Sequence, residues 1–255
     1  MFPVIKVEVR FHVDVKSAKQ AVRERIWRLL EERGLAAFPK PVYGRIPNFV
    51  GSDKACDRAA ALPEFARART VKINPDAPQR MCRELALKSG KVLVVPTPRI
   101  RGGFLLLDPS AIPRDAYREA STIGGAAKWG RPTPPEHLPQ IDLVIIGSVA
   151  VNPKTGRRLG KSHGYAEIEW GILSYYGKVG ESTPVVTTVH DVQLVDDDIP
   201  REPFDLPVDI VVTPTRALRT SRTDMKPSGI LWEYVTEDML REIPLLAELR
   251  GSRIP

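Results

Sequence analysis

Apolar and polar residues alternate strictly near the start of the chain, with Ile5, Val7, Val9, Phe11, Val13 and Val15 against Lys6, Glu8, Arg10, His12 and Asp14. A period of two is the signature of a half-buried strand. It predicts an N-terminal strand within residues 1–15, added at a sheet edge where it could pair with a second copy. The period then changes. After Ser17, a predicted cap, Val22, Ile26, Leu29 and Leu30 recur at helical spacing until Gly34 stops the helix.

Further along, the apolar runs become continuous. "ARTVKI", "KVLVVPTP", "GFLLLD", "IDLVIIGSVAV", "PVVTTVH" and "VDIVVTPT" read as strands buried on both faces. Helical stretches near 52–67, 78–89 and 165–176 separate several of them. Residues 38–49 and 124–139 are rich in Pro or Gly and predict irregular backbone. Strands alternating with helices imply an α/β fold, a three-layer sandwich with a mostly parallel central sheet, made as one domain over 1–255.

Composition narrows the functional classes. Hydrophobic residues at 42% and charged residues at 27% match ordinary globular usage and argue against disorder. The net charge of +7 favours anionic partners. Arginines run along the whole chain rather than in one tail, which argues against nucleic acid. No apolar run reaches the roughly 20 residues that cross a bilayer. Cys56 and Cys82 have no Cys-x-x-Cys partner and no histidine at zinc spacing, so they read as buried or incidental thiols in a reducing compartment. The expectation is a soluble cytoplasmic protein, monomeric or homodimeric.

The chemistry concentrates in "GRRLGKSHGYAEIEW", residues 156–170. A P-loop needs four residues between its first glycine and Gly-Lys-Ser, and here only Arg157, Arg158 and Leu159 intervene. Gly156, Gly160 and Gly164 allow close backbone approach, Arg157, Arg158 and Lys161 supply cations, and the next helix points its positive end at the loop. That set suits phosphate, although a basic surface turn has the same pattern. Glu167 and Glu169 could complement the helix dipole, and Glu167 could instead hold magnesium. Ligands in open parallel sheets bind at the carboxyl ends of strands, which adds His190, Asp191, Thr213, Thr215 and Arg216 to the candidates. Asp209 is a lone carboxylate within an apolar run and needs a partner or a metal. Lys19 and Arg23 share a helix face, by pattern alone a solvated one. The chain lacks H-E-x-x-H and a G-x-G-x-x-G after its first strand, which removes the corresponding zinc protease and Rossmann dehydrogenase readings.

Together, "KQAVR", "GRRLGKSHGYAEIE", "HDVQLVD" and "VDIVVTPT" resemble the 5-formyltetrahydrofolate cyclo-ligase, or methenyltetrahydrofolate synthetase, family. "RIPNFVGSDKAC", "VLVVPTPRIRGG" and "VTPTRAL" are similar to its branch of methenyltetrahydrofolate synthetase domain-containing proteins. The resemblance implies a cyclo-ligase-like fold and an ATP- and Mg2+-dependent conversion of 5-formyltetrahydrofolate, or a related reduced formyl-pterin, to the 5,10-methenyl form. By the same resemblance Lys19, Arg23, Arg158, Gly160, Lys161 and Gly164 would contact the nucleotide. Lys161 and Tyr165 would act in catalysis, with Tyr165 also beside the pterin. Glu167 and Asp209 would face the metal, and Asp53, with Glu64 as the other candidate, would stand for the substrate-contacting acid. The family motif ends Gly-Tyr-Tyr-Asp, whereas this chain has Ala166 and Glu167 at the last two places. A nucleotide- or pterin-binding member without cyclo-ligase activity is the alternative reading.

Overall fold

The computed structural model describes residues 14–162 and 164–252. The expected strand over 1–15 therefore lies outside the described residues, except at its end. There Asp14 accepts a hydrogen bond from the Lys16 N–H, and helix α1 begins at Val15, spanning Val15–Glu32. The cap is thus Asp14 rather than Ser17, and Val15 is helical.

Helices α2 (Ser52–Ala60) and α3 (Pro63–Arg67) precede the first sheet strand, β1 (Thr70–Ile73). Then follow α4 (Arg80–Lys88), β2 (Val92–Pro96), β3 (Phe104–Leu107), α5 (Tyr117–Ala120), α6 (Ile123–Trp129), β4 (Arg131–Thr133) and β5 (Leu143–Gly147). A small hairpin of β6 (Ala150–Val151) and β7 (Arg158–Leu159) leads into α7 (Tyr165–Tyr175). The rest comprises β8 (Val185–Thr188), β9 (Ile210–Val212), β10 (Ala217–Arg219), α8 (Glu237–Glu242) and α9 (Pro244–Gly251).

Eight strands form one sheet in the order β10-β9-β8-β5-β1-β2-β3-β4. Its centre is parallel, from β9 through β8, β5 and β1 to β2, and antiparallel strands flank it on both edges. The apolar runs are continuous because both faces are covered. Val71, Ile73, Leu93 and Ile145 pack in the cluster that includes Cys56 and Leu87. Val94, Val144, Ile146 and Val211 pack on the other side with Trp170, Leu173 and Leu246. Helix α1 lays Ile26, Trp27 and Leu30 over Phe49, Val149 and Leu159 in a further cluster. No helix among the described residues is long and apolar enough to cross a membrane.

Three further expectations are corrected. Residues 123–133 are ordered as α6 and β4 rather than irregular. Gly125 is required there because a Cβ would stand 1.8 Å from the Glu119 carbonyl oxygen, so glycine serves close packing and not a turn. The run 141–151 is not one strand: it breaks after Gly147, and β6 turns away to pair with β7. Cys56 and Cys82 are a disulfide, with Cα atoms 4.9 Å apart. Their helices α2 and α4 pack side by side and bring the two thiols within bridging reach.

Candidate functional site

The order in which strands are added to the sheet reverses between the parallel neighbours β1 and β5. From β1 the crossover leads to β2 on one side, and from β5 the next parallel neighbour is β8 on the other. In open sheets such a reversal opens a crevice at the carboxyl ends of the strands. Here Asn74 and Asp76 follow β1, Thr97 and Arg99 follow β2, and Gly147 ends β5, all lining one cavity of about 230 Å³. A larger cavity of about 820 Å³ lies beside it, walled by α1 and the acidic segment around Glu202 and Asp205. Arg158, Gly160, Gly164 and Glu167 line both cavities, so the glycine-rich loop is their common wall.

The loop's glycines divide their work. Gly156 has φ +72°, and a Cβ there would meet the Val208 carbonyl oxygen at 2.3 Å. It closes the β6–β7 hairpin against the segment before β9 and lines neither cavity. Gly160 leaves room for the Arg158 guanidinium, whose Nη1 lies 3.1 Å from the position of an added Cβ. Gly164 adopts φ 68° as the N-cap of α7 and lines both cavities, so the uncapped start of the helix, with its free N–H groups, lies beside them.

Arg158 is the most informative cation. Its side chain is 1% exposed and its Nη2 donates to Glu167 Oε1 at 2.7 Å. Its Nε and Nη1 find no hydrogen-bond partner among the described residues. Buried polar groups are nearly always paired, and an orphaned one costs about 1–3 kcal/mol. Two orphan donors on one buried guanidinium beside a cavity wall leave hydrogen-bonding capacity and charge that an anion could satisfy. Arg23, also buried, donates from Nε to the Gly160 carbonyl oxygen at 2.7 Å. Burial lowers its pKa, while Glu167 and Asp205 oppose that shift. Lys19 lines the larger cavity, but its Nζ is held by Asp205 at 2.5 Å and Glu202 at 2.8 Å. Burial raises the Asp205 carboxyl despite the Glu202 N–H and Lys19 that stabilise its charge.

In the smaller cavity, Lys161 lies 3.8 Å from Asp76 Oδ1 and is 37% exposed. The Tyr165 hydroxyl donates to Glu242 of α8, and burial, then Glu242, raises its pKa. Glu169 lines this cavity too and accepts a hydrogen bond from the buried Lys72 of β1. Burial pushes its carboxyl up, with Lys72 opposing. It is a core ion-pair partner rather than a residue that merely complements the helix dipole.

Other expected residues lie elsewhere. Asp209 precedes β9, at the amino ends of the parallel strands, and lines neither cavity. Its carboxylate is held by Arg222 at 2.6 Å and Lys226 at 2.7 Å and accepts from the Val185 N–H. Asp53 is exposed in the first turn of α2 and lines neither cavity. Glu64 is bound to Arg219 at 2.7 Å. Arg157 turns away to Asp198 and Asp224. His190, Asp191, Thr213, Thr215 and Arg216 also line neither cavity. Asp191 accepts from both threonine hydroxyls, at 2.9 and 2.7 Å, and the His190 ring accepts from the Val192 N–H, a local cap.

Sequence reasoning missed Asp76, Glu202 and Asp205, which sit in loops without periodicity. Among the described residues no group of three His, Cys, Asp or Glu is arranged to hold a metal ion. The carboxylates facing the larger cavity suit magnesium that arrives with phosphates, since that ion commonly takes one or two carboxylates and fills its shell with phosphate and water.

A family model, the 5-formyltetrahydrofolate cyclo-ligase family, matches residues 15–214. The methenyltetrahydrofolate synthase domain-containing protein of Mus musculus is 45% identical over 238 residues, covering 91% of this chain and 63% of that protein. Its namesake in Homo sapiens is 43% identical over 239 residues, covering 92% and 62%. The chain thus spans somewhat under two thirds of the length of these relatives. The NMR structure of Aquifex aeolicus 5,10-methenyltetrahydrofolate synthetase superposes with a TM-score of 0.50 at 19% identity, over 87% of this chain and 99% of that one, a likeness of fold. With its model matching residues 15–214, the chain belongs to the 5-formyltetrahydrofolate cyclo-ligase family.

Proposed function

We propose that the protein catalyses the ATP-dependent cyclisation of 5-formyltetrahydrofolate, or a related reduced pterin, to the 5,10-methenyl form with release of ADP and phosphate. The observation that carries this reading is Arg158, whose two unpartnered buried donors lie in the wall between two adjoining cavities. The triphosphate would occupy the larger cavity beside Arg23 and Arg158, with the γ-phosphate near Lys161 and the N-terminus of α7. The formyl-pterin would occupy the smaller one, beside Tyr165 and Asp76.

In that arrangement the formyl oxygen attacks the γ-phosphorus and ADP leaves. N10 then attacks the activated carbon, the C–O bond breaks with phosphate departing, and the N10 proton is lost. Such a transfer asks the protein chiefly for positioning and charge stabilisation. Arg158 and Lys161 would hold the transferred group, Arg23 the remaining phosphates, and the α7 amides would point at developing negative charge. Magnesium, held by Glu167, would supply charge neutralisation on the phosphates.

A second reading, binding of nucleotide or pterin without turnover, is favoured by Lys19, already neutralised by two carboxylates. Stoichiometry separates the two. Cyclisation gives one ADP and one phosphate per methenyl product, whereas tight MgATP binding with no product on any formyl-pterin leaves only the second.

A further inference from the structure

Beside the larger cavity a narrow apolar slot opens between the start of α7 and the segment that follows β10. Phe204 and Ile168 form one side, and Ile230, Tyr234, Val235 and Met239 form the other. The family match ends at residue 214, so that second side comes from chain outside it. The segment is firmly seated: Trp170 Nε1 donates to the Pro227 carbonyl oxygen at 2.7 Å, and Tyr165 is bonded to Glu242.

The slot is not isolated. Gly164, Glu167, Phe204, Tyr234 and Met239 also line the cavity that holds Arg23 and Arg158. The Phe204 and Tyr234 rings meet at 5.1 Å and 61°, making an aromatic corner at the junction. Met239 Cε would touch a Cβ at Gly164 at 3.6 Å, so glycine there keeps the junction wide. An apolar slot with aromatic walls, continuous with a cationic phosphate cradle, matches a molecule carrying a flat ring at one end and phosphates at the other.

We infer that this slot takes the base of the nucleoside triphosphate, with Tyr234 and Met239 as base-binding residues supplied by the C-terminal segment. The inference rests on the nucleotide reading above. The smaller cavity suits the base less well, because Asn74, Asp76, Arg99 and Glu169 give it a more polar lining than the slot has.

Calorimetric titration of the full chain with MgATP and, separately, with inorganic tripolyphosphate tests it. ATP should bind at least about tenfold tighter than tripolyphosphate, the excess being the stacked base. Tyr234→Ala should reduce that excess to within about threefold and leave tripolyphosphate affinity unchanged. Tyr234 is 39% exposed, so truncation costs no core, and Met239→Ala gives an independent second variant. Equal affinity of ATP and tripolyphosphate for the unaltered protein, or an excess that survives both variants, overturns the slot while leaving the phosphate cradle intact. Loss of 5-formyltetrahydrofolate affinity instead of ATP affinity assigns the slot to the wrong ligand. Failure of ATP and tripolyphosphate alike overturns the nucleotide reading itself.

Discussion

Replacing Arg158 by methionine should leave the protein folded and remove most of its affinity for MgATP. Two opposing terms govern stability. The guanidinium carries two buried N–H donors without partners among the described residues, and their removal relieves about 1–3 kcal/mol each. Against that, Glu167 loses its cation, a loss of about 3–5 kcal/mol for a fully buried pair. Glu167 retains 14% side-chain exposure, so water can replace part of the interaction and the loss falls below that range. The terms nearly cancel, leaving a net change within about 2 kcal/mol. For a chain of this size each kcal/mol moves Tm by roughly 2–4 °C. Binding has no such cancellation. Two hydrogen bonds to a charged phosphate, at no less than about 1.5 kcal/mol each, total about 3 kcal/mol, or roughly 150-fold in Kd. Scanning calorimetry and titration of Arg158→Met with MgATP measure both quantities. A fall in Tm beyond about 10 °C with affinity within threefold would refute the reasoning, because Arg158 would then be a structural ion-pair partner.

Three further outcomes are expected. Lys19→Met should destabilise the fold by about 1–3 kcal/mol because Asp205 and Glu202 lose their shared cation, and Asp205→Leu in the same chain should recover at least about 1 kcal/mol; additive effects in urea titration would contradict the coupling. Lys161→Ala should change Tm by less than about 4 °C, since the side chain is 37% exposed, yet lower kcat/KM for ATP at least about tenfold; unchanged kinetics would remove Lys161 from the site. For Asp191, burial opposes ionisation, but hydrogen bonds from Thr215 and Thr213 and the Arg216 charge hold its carboxyl below the ordinary 3.8. The unfolded chain therefore binds the proton first, so this stabilisation is complete above pH 3.8 and is lost as pH falls through the folded value. Asp191→Asn should flatten the acid limb of stability against pH, as measured by urea midpoints, and an unchanged limb would show that the cluster does not couple to folding.

Much of the sheet was readable because strands buried on both faces have a distinctive composition. Ile145 and Ile146 are neighbours packed on opposite faces, and no half-exposed strand would carry both. The edges were harder. Gly125 looks like a turn residue but is helical, since its lack of a Cβ admits the Glu119 carbonyl. The disulfide joins residues 26 apart in sequence, and only the packing of α2 on α4 brings them together.

Arg158 and Glu167 were legible because the glycine spacing marks them. The second acid was placed at Asp209, whereas the structure puts Asp205 at the cavity and Asp209 at the opposite strand ends. Only four positions separate them, and an acidic loop between prolines has no periodicity to show where the strand begins. Lys72 and Glu169 each look like ordinary exposed charges in a pattern. Their pairing became visible only once β1 and α7 were stacked.

The most direct measurement of the central claim is methenyl absorbance in a mixture of purified protein, MgATP and 5-formyltetrahydrofolate, read beside the Arg158→Met variant. Absorbance should rise only when ATP is present, with one ADP formed per product and little signal from the variant. No methenyl product under conditions where both ligands bind would contradict that claim and leave a binding protein built on the cyclo-ligase fold.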